Sequence, residues 1–204
     1  DDLLRGEISS AEAGVLKALG FRNLEEAAGR LKKICPNTLA FEPFALAMDR
    51  AWKMWPAVPD PGLALMHLEH FLDAVEDKES FWEFLADSEN GLSILLAIFG
   101  TSRYLSKLLI ANPEDWEKFK YEESFELSRT EAILQYESPA KHSLEELRRL
   151  RHSETLRIAM ADLWKHSPLD QVFLAFSNLA DFILSEALRL SGLENDLCVI
   201  GLGK

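Results

Sequence analysis

Cysteine is nearly absent: the 204 residues hold only Cys35 and Cys198. A secreted disulfide framework uses more, so both read as free thiols in a reducing cytosol. Long apolar runs are missing too. The longest, Ile94 to Phe99, falls far short of the roughly 18 residues of a spanning helix. No signal peptide is expected from the opening Asp1-Asp2-Leu3-Leu4-Arg5, which has no basic start before an apolar run. Basic residues are in the minority, 22 against 34 acids for a net charge of −12. That sign argues against a general nucleic-acid or acidic-membrane binder. Hydrophobic residues at 48% exclude wholesale disorder and leave enough apolar side chain for a real core.

Almost every apolar pattern has helical period. Ser9 stands three residues before Glu12, the spacing of a capping box, and Gly20 is expected to stop that helix. Asn23 caps the next, with Glu25 and Glu26 at its start and Lys32 and Lys33 at its end, all favourable to the helix dipole. A third helix covers 41–55, and Pro56 to Gly62 is the clearest breaker. Beyond it Ala64, Leu68, Phe71, Leu72 and Val75 form one stripe. Two helices follow, split at Asn90-Gly91, the second closed by Gly100. Ser102 caps 104–111, and Asn112-Pro113 reads as an N-cap with proline at the first helical position. Tyr121 to Thr130 is polar and acidic and reads as a loop.

Two long helices come next. The first opens at Ser138-Pro139 and runs to about Lys165, with Leu144, Leu147, Leu150, Ile158 and Leu163 marking its buried side. Ser167-Pro168 restarts the chain, and Val172, Phe173, Phe176, Leu179, Ala180, Ile183, Ala187 and Leu190 give a stripe to Gly192. So short a break implies an antiparallel hairpin. At Leu197-Cys198-Val199-Ile200-Gly201 the pattern becomes that of a buried strand. One strand cannot satisfy its own backbone, so the natural chain is expected to continue into a sheet. The fold class expected is all-α: a multi-helix bundle ending in a long antiparallel hairpin, followed by the truncated first strand of a missing α/β domain. The divisions are 1–136, 137–195 and 196–204.

Candidate chemistry is sparse. His67 and His70 sit three apart on a helix and could share a metal, but they match no zincin spacing; a histidine at the edge of an apolar face is the plainer reading, and no metal site is assigned. Gly201-Leu202-Gly203-Lys204 resembles a phosphate turn, yet a Walker loop needs G-x-x-x-x-G-K-S/T, and Cys198 stands where its first glycine belongs. Lys141 to Arg157 carries five bases and three acids, a basic ridge in an acidic chain. It reads either as a solvated face with local ion pairs or as a ridge facing a nucleotide or an acidic partner. The five tryptophans fall in helical patterns and are expected in packing. No nucleophile–base constellation emerges, so no catalytic residue is assigned.

One stretch is recognisable: Leu147-Arg148-Arg149-Leu150-Arg151, then Leu156-Arg157-Ile158-Ala159, then Asp162-Leu163. It resembles the L-R-x-F/L-R-x-x-x-x-L-R-I-A-x-x-D-L helix of the glutamine synthetase adenylyltransferase family. The strand-like Leu197 to Lys204 is similar to the family's entry into its nucleotidyltransferase sheet. Leu95 to Leu105 with Asn112-Pro113-Glu114 resembles the family's L-x-x-L-F-G-x-S-x-x-L and N-P-E segment, and Leu19-Gly20-Phe21 and Pro59-Asp60-Pro61 are similar to its linker.

The resemblance implies a bacterial enzyme that adds AMP from ATP to glutamine synthetase and removes it, using magnesium. It also implies glutamine synthetase and a nitrogen-regulatory signalling protein as partners, and a cytoplasmic location without nucleic acid or membrane. In the family the Gly-Leu-Gly-Lys turn continues into G-G-x-E-L and S-D-x-D-L, whose aspartates hold magnesium. The sequence reaches only Gly201, Gly203 and Lys204, the edge of the nucleotide motif, so no cofactor is expected on these residues by themselves. Arg148, Arg149, Arg151 and Arg157 become candidates for a contact with the rest of the chain. The expectation is a non-catalytic helical segment of such an enzyme, before its transferase half rather than its AMP-removing half. The rival is a stand-alone helical interaction module without activity.

Overall fold

The computed structural model describes residues 8–35, 42–120, 126–127, 143–163, 165–193 and 197. Every element among them is helical. The expected strand, apart from Leu197, lies outside the described residues, as do Cys198, Trp164, the Ser138-Pro139 opening and the boundary at 136. The chain divides into two compact units, 1–120 and 121–204.

The first unit holds α1 (Ser10–Ala18), α2 (Leu24–Ile34), α3 (Glu42–Met54), α4 (Pro61–Ala74), α5 (Lys78–Asp87), α6 (Glu89–Thr101) and α7 (Arg103–Ala111). Short 3-10 turns cover Trp55–Ala57 and Pro113–Lys120. Local chemistry sets the starts. The Ser9 hydroxyl accepts from the Glu12 amide while Glu12 bonds back to Ser9, a complete capping box. Asn23, Asp60, Asp77, Ser88 and Ser102 cap α2, α4, α5, α6 and α7, each side chain accepting from the amide three residues on. Gly20 takes φ 88° just past α1, a backbone angle that favours glycine.

Helix α4 packs on α6, α2 and α7, and α3 packs on α5 and α6. The expected α4 stripe is the buried one: Ala64, Leu68, Phe71, Leu72 and Val75 are all enclosed. Phe71 lies 5.3 Å from Phe81 and 5.7 Å from Phe99, ring centre to ring centre. Trp116 stands 5.4 Å from Phe81, edge-on. Trp55, Trp82 and Trp116 are buried, as aromatic packing demands.

Two glycines behave differently from expectation. The break between α5 and α6 is at Ser88, so Asn90-Gly91 falls inside the first turn of α6. A Cβ on Gly91 would stand 2.5 Å from the Phe84 ring. Gly100 does not end α6, which runs to Thr101; a Cβ there would collide with the Val58 side chain. Both glycines are required by packing between segments, not by chain reversal. Asn112 both closes α7, its side-chain amide donating to the Leu108 carbonyl, and precedes the expected Pro113 start of the 3-10 segment Pro113–Lys120, its carbonyl accepting from Asp115. We predict that Gly100→Ala costs about 1–3 kcal/mol through overpacking. Adding Val58→Ala should make the double mutant less destabilised than the sum of the singles in denaturant melts; strict additivity would show that the two side chains never meet.

The second unit is built on α8 (Leu144–Leu163) and α9 (Leu169–Ser191), which pack on each other. The described α8 begins at Ser143, where Ser143 and Glu146 exchange capping-box bonds. Ile158, Val172, Ala175 and Leu179 form the core, with Leu150, Phe176, Phe182 and Ile183 against it. Three expected core residues are outside it: Leu144 is 59% exposed, Phe173 is 63% exposed and Ala180 is also exposed. The apolar arc of α9 is wider than the face α8 covers. Gly192 at φ 71° ends α9 in a left-handed cap. By length and composition α9 could cross a membrane, contrary to the reading of apolar runs alone. It nevertheless carries Asp181 and Glu186, which are costly in hydrocarbon, and buries one face on α8.

Candidate functional site

Helix α8 carries the residues singled out in the sequence, and the structure separates them. Leu147, Leu156, Arg157, Ile158, Met160 and Ala161 turn inward. Arg148, Arg149 and Arg151 are exposed, and Arg151 approaches the His152 ring nitrogen at 3.3 Å.

Arg157 is only 5% exposed, and so is Glu154. The Arg157 Nε donates to both Glu154 oxygens, at 3.1 and 2.9 Å. Its Nη1 donates to the Glu126 carbonyl at 3.0 Å, tying α8 to a residue far back in the chain. A buried guanidinium tolerates this because its planar donors are individually satisfied. A second buried acid, Glu186 on α9, is held by Arg189 at 2.9 Å. Neither acid stood out in the sequence; Glu186 in particular looked like an ordinary surface residue, and only burial distinguishes it.

The outer side of α9 presents Leu169, Phe173, Leu174 and Leu184, all more than 40% exposed. This stripe lies away from the face that packs on α8.

The first unit explains its motifs by packing. The His67 Nδ1 lies 2.9 Å from the Phe99 carbonyl; a carbonyl only accepts, so Nδ1 carries the proton. Burial pushes the His67 pKa below its ordinary 6.5, and the ring is a satisfied core histidine. Among the described residues no group of three or more His, Cys, Asp or Glu is placed to hold a metal. Phe99-Gly100 and Ser102 close α6 on Val58 and cap α7. On α4, burial raises the Glu69 pKa, but Lys33 at 2.7 Å and Arg30 outweigh it and hold the carboxyl below its usual range.

Both perturbed groups give acid sensitivity of the same sign. His67 binds a proton more readily when unfolded, so its contribution is intact above 6.5 and is lost as pH falls toward its lowered native value. Glu69 contributes above the ordinary carboxylate value of 4.5 and loses that contribution as pH falls through its lower native pKa. We predict that His67→Asn, which keeps a donor toward Phe99, removes the mildly acidic step of the stability profile and leaves the more acidic one. An unchanged profile in that variant would assign the step elsewhere.

Gly201, Gly203 and Lys204 lie outside the described residues, so no donor set for ATP or magnesium is assigned. No curated protein and no solved structure matches the chain. A family model described as glutamate-ammonia ligase adenylyltransferase matches residues 92–204, more than half of the chain. The match takes in the packed Phe99-Gly100 segment and the whole α8–α9 pair with its buried Arg157. The chain belongs to the glutamate-ammonia ligase adenylyltransferase family, whose target, glutamate-ammonia ligase, is glutamine synthetase.

Proposed function

We propose that this chain is the helical support that precedes the nucleotidyltransferase core of a glutamine synthetase adenylyltransferase, and that it does not itself transfer AMP. The observation that carries this reading is the family match across 92–204, which includes the α8 motif. The exposed face of α9 supports it. Leu169, Phe173 and Leu184 are an apolar surface suited to covering a sheet-and-helix core, and Arg148, Arg149 and Arg151 on α8 can fork onto acids of that core. Its place is before the transferase half, in a cytoplasmic enzyme whose partners are glutamine synthetase and a nitrogen-regulatory protein. ATP and magnesium belong to the core.

Reading the coding sequence past Lys204 tests this. The proposal expects G-G-x-E-L and then S-D-x-D-L in frame. An in-frame stop or an unrelated sequence favours the stand-alone helical module instead.

A further inference from the structure

We propose that a cavity in the first unit binds the phosphoryl group of a small organic phosphate. The cavity measures about 420 Å³ and lies between the start of α2 and the start of α4. That size suits a small molecule.

Three arginines line it: Arg22, Arg30 and Arg103. They come from the α1–α2 turn, from α2 and from the first residue of α7. Arg30 is held in place by Glu26, at 2.9 Å, and by Glu69. Arg22 and Arg103 are exposed and have no hydrogen-bond or ion-pair partner among the described residues. In a chain with 34 acids and 22 bases, two such arginines on one concavity are unexpected. Neither acid in the lining is paired with Arg22 or Arg103. Glu26 is engaged by Arg30 and Asn23, and the Asp60 Oδ1 accepts from the Leu63 amide at 3.0 Å.

Asn23 and Asp60, the N-caps of α2 and α4, also line the cavity. The guanidiniums of Arg22 and Arg103, beside Arg30, match a compact dianion with three acceptor oxygens, which is a phosphoryl group. A carboxylate has two oxygens and one charge and leaves donors unused. The cavity exceeds a bare phosphate, and Phe21, Leu65 and Met66 give it an apolar wall, so the group arrives on a small organic body.

Calorimetry on the 204-residue chain tests this with glycerol phosphate, inorganic phosphate and succinate at constant ionic strength. Glycerol phosphate should bind saturably, about tenfold or more tighter than inorganic phosphate or succinate. Arg22→Ala and Arg103→Ala should each weaken it about tenfold without moving the melting temperature, and Arg103→Lys should recover part of the loss. Lys53→Ala, which removes a charge paired with Asp49 elsewhere, should leave binding unchanged. Four results overturn the proposal: no saturable binding, equal affinity for inorganic phosphate or succinate, wild-type affinity in the Arg22→Ala/Arg103→Ala double variant, or an equal loss in Lys53→Ala.

Discussion

Arg157→Ala should destabilise the α8–α9 unit by about 3–5 kcal/mol, the cost of leaving one member of a buried ion pair without its partner. Truncation leaves Glu154 enclosed at 5% exposure and removes the donor to the Glu126 carbonyl. The loss is one of desolvation and not of net attraction. Replacing both members by apolar residues, Glu154→Leu with Arg157→Met, should therefore recover most of the stability. Arg148→Ala and Arg151→Ala, made at exposed positions, should stay within about 0.5 kcal/mol of wild type. These values are read from the hairpin transition in denaturant. A cost below about 1 kcal/mol for Arg157→Ala would place the pair in solvent. In the intact enzyme the three arginines then separate by cause. Arg157→Ala should lower AMP transfer together with the melting temperature, whereas Arg148→Ala and Arg151→Ala should lower transfer with the melt unchanged.

Phe71→Ala should cost the first unit about 3–5 kcal/mol. Phe71 is fully enclosed and is bracketed by Phe81 on α5 and Phe99 on α6. Its removal empties the point where three helices meet, and the surrounding rings cannot close the gap without leaving their rotamers. Phe173→Ala, on the exposed side of α9, is the internal comparison, with an effect within about 0.5 kcal/mol. Equal losses at the two positions would mean that the face of α9 assigned to solvent is covered.

Local rules were readable and tertiary ones were not. The Ser9–Glu12 box and the Asn23 and Ser102 caps depend on residues three apart, so sequence spacing reveals them. The α4 stripe was legible because a single face is buried. Gly91 and Gly100 were misread as breaks because the atoms that forbid a side chain, the Phe84 ring and Val58, belong to other segments. Phe173 was misplaced because α9 is apolar around more of its circumference than α8 covers. Arg157 stood with its neighbours as one ridge, although a spacing of three from Glu154 was available; burial decided its role, and burial depends on the partner helix. The cavity arginines were invisible, since Arg22, Arg30 and Arg103 meet only when α2, α4 and α7 pack.

The central claim is that these helices support AMP transfer without performing it. The direct test is AMP incorporation into purified glutamine synthetase, with ATP and magnesium supplied. It compares the 204-residue chain with the same chain continued through the S-D-x-D-L motif. The account predicts no incorporation above the enzyme-free control for the first and steady incorporation for the second. Steady incorporation by the 204-residue chain, with full-length enzyme excluded, would contradict it.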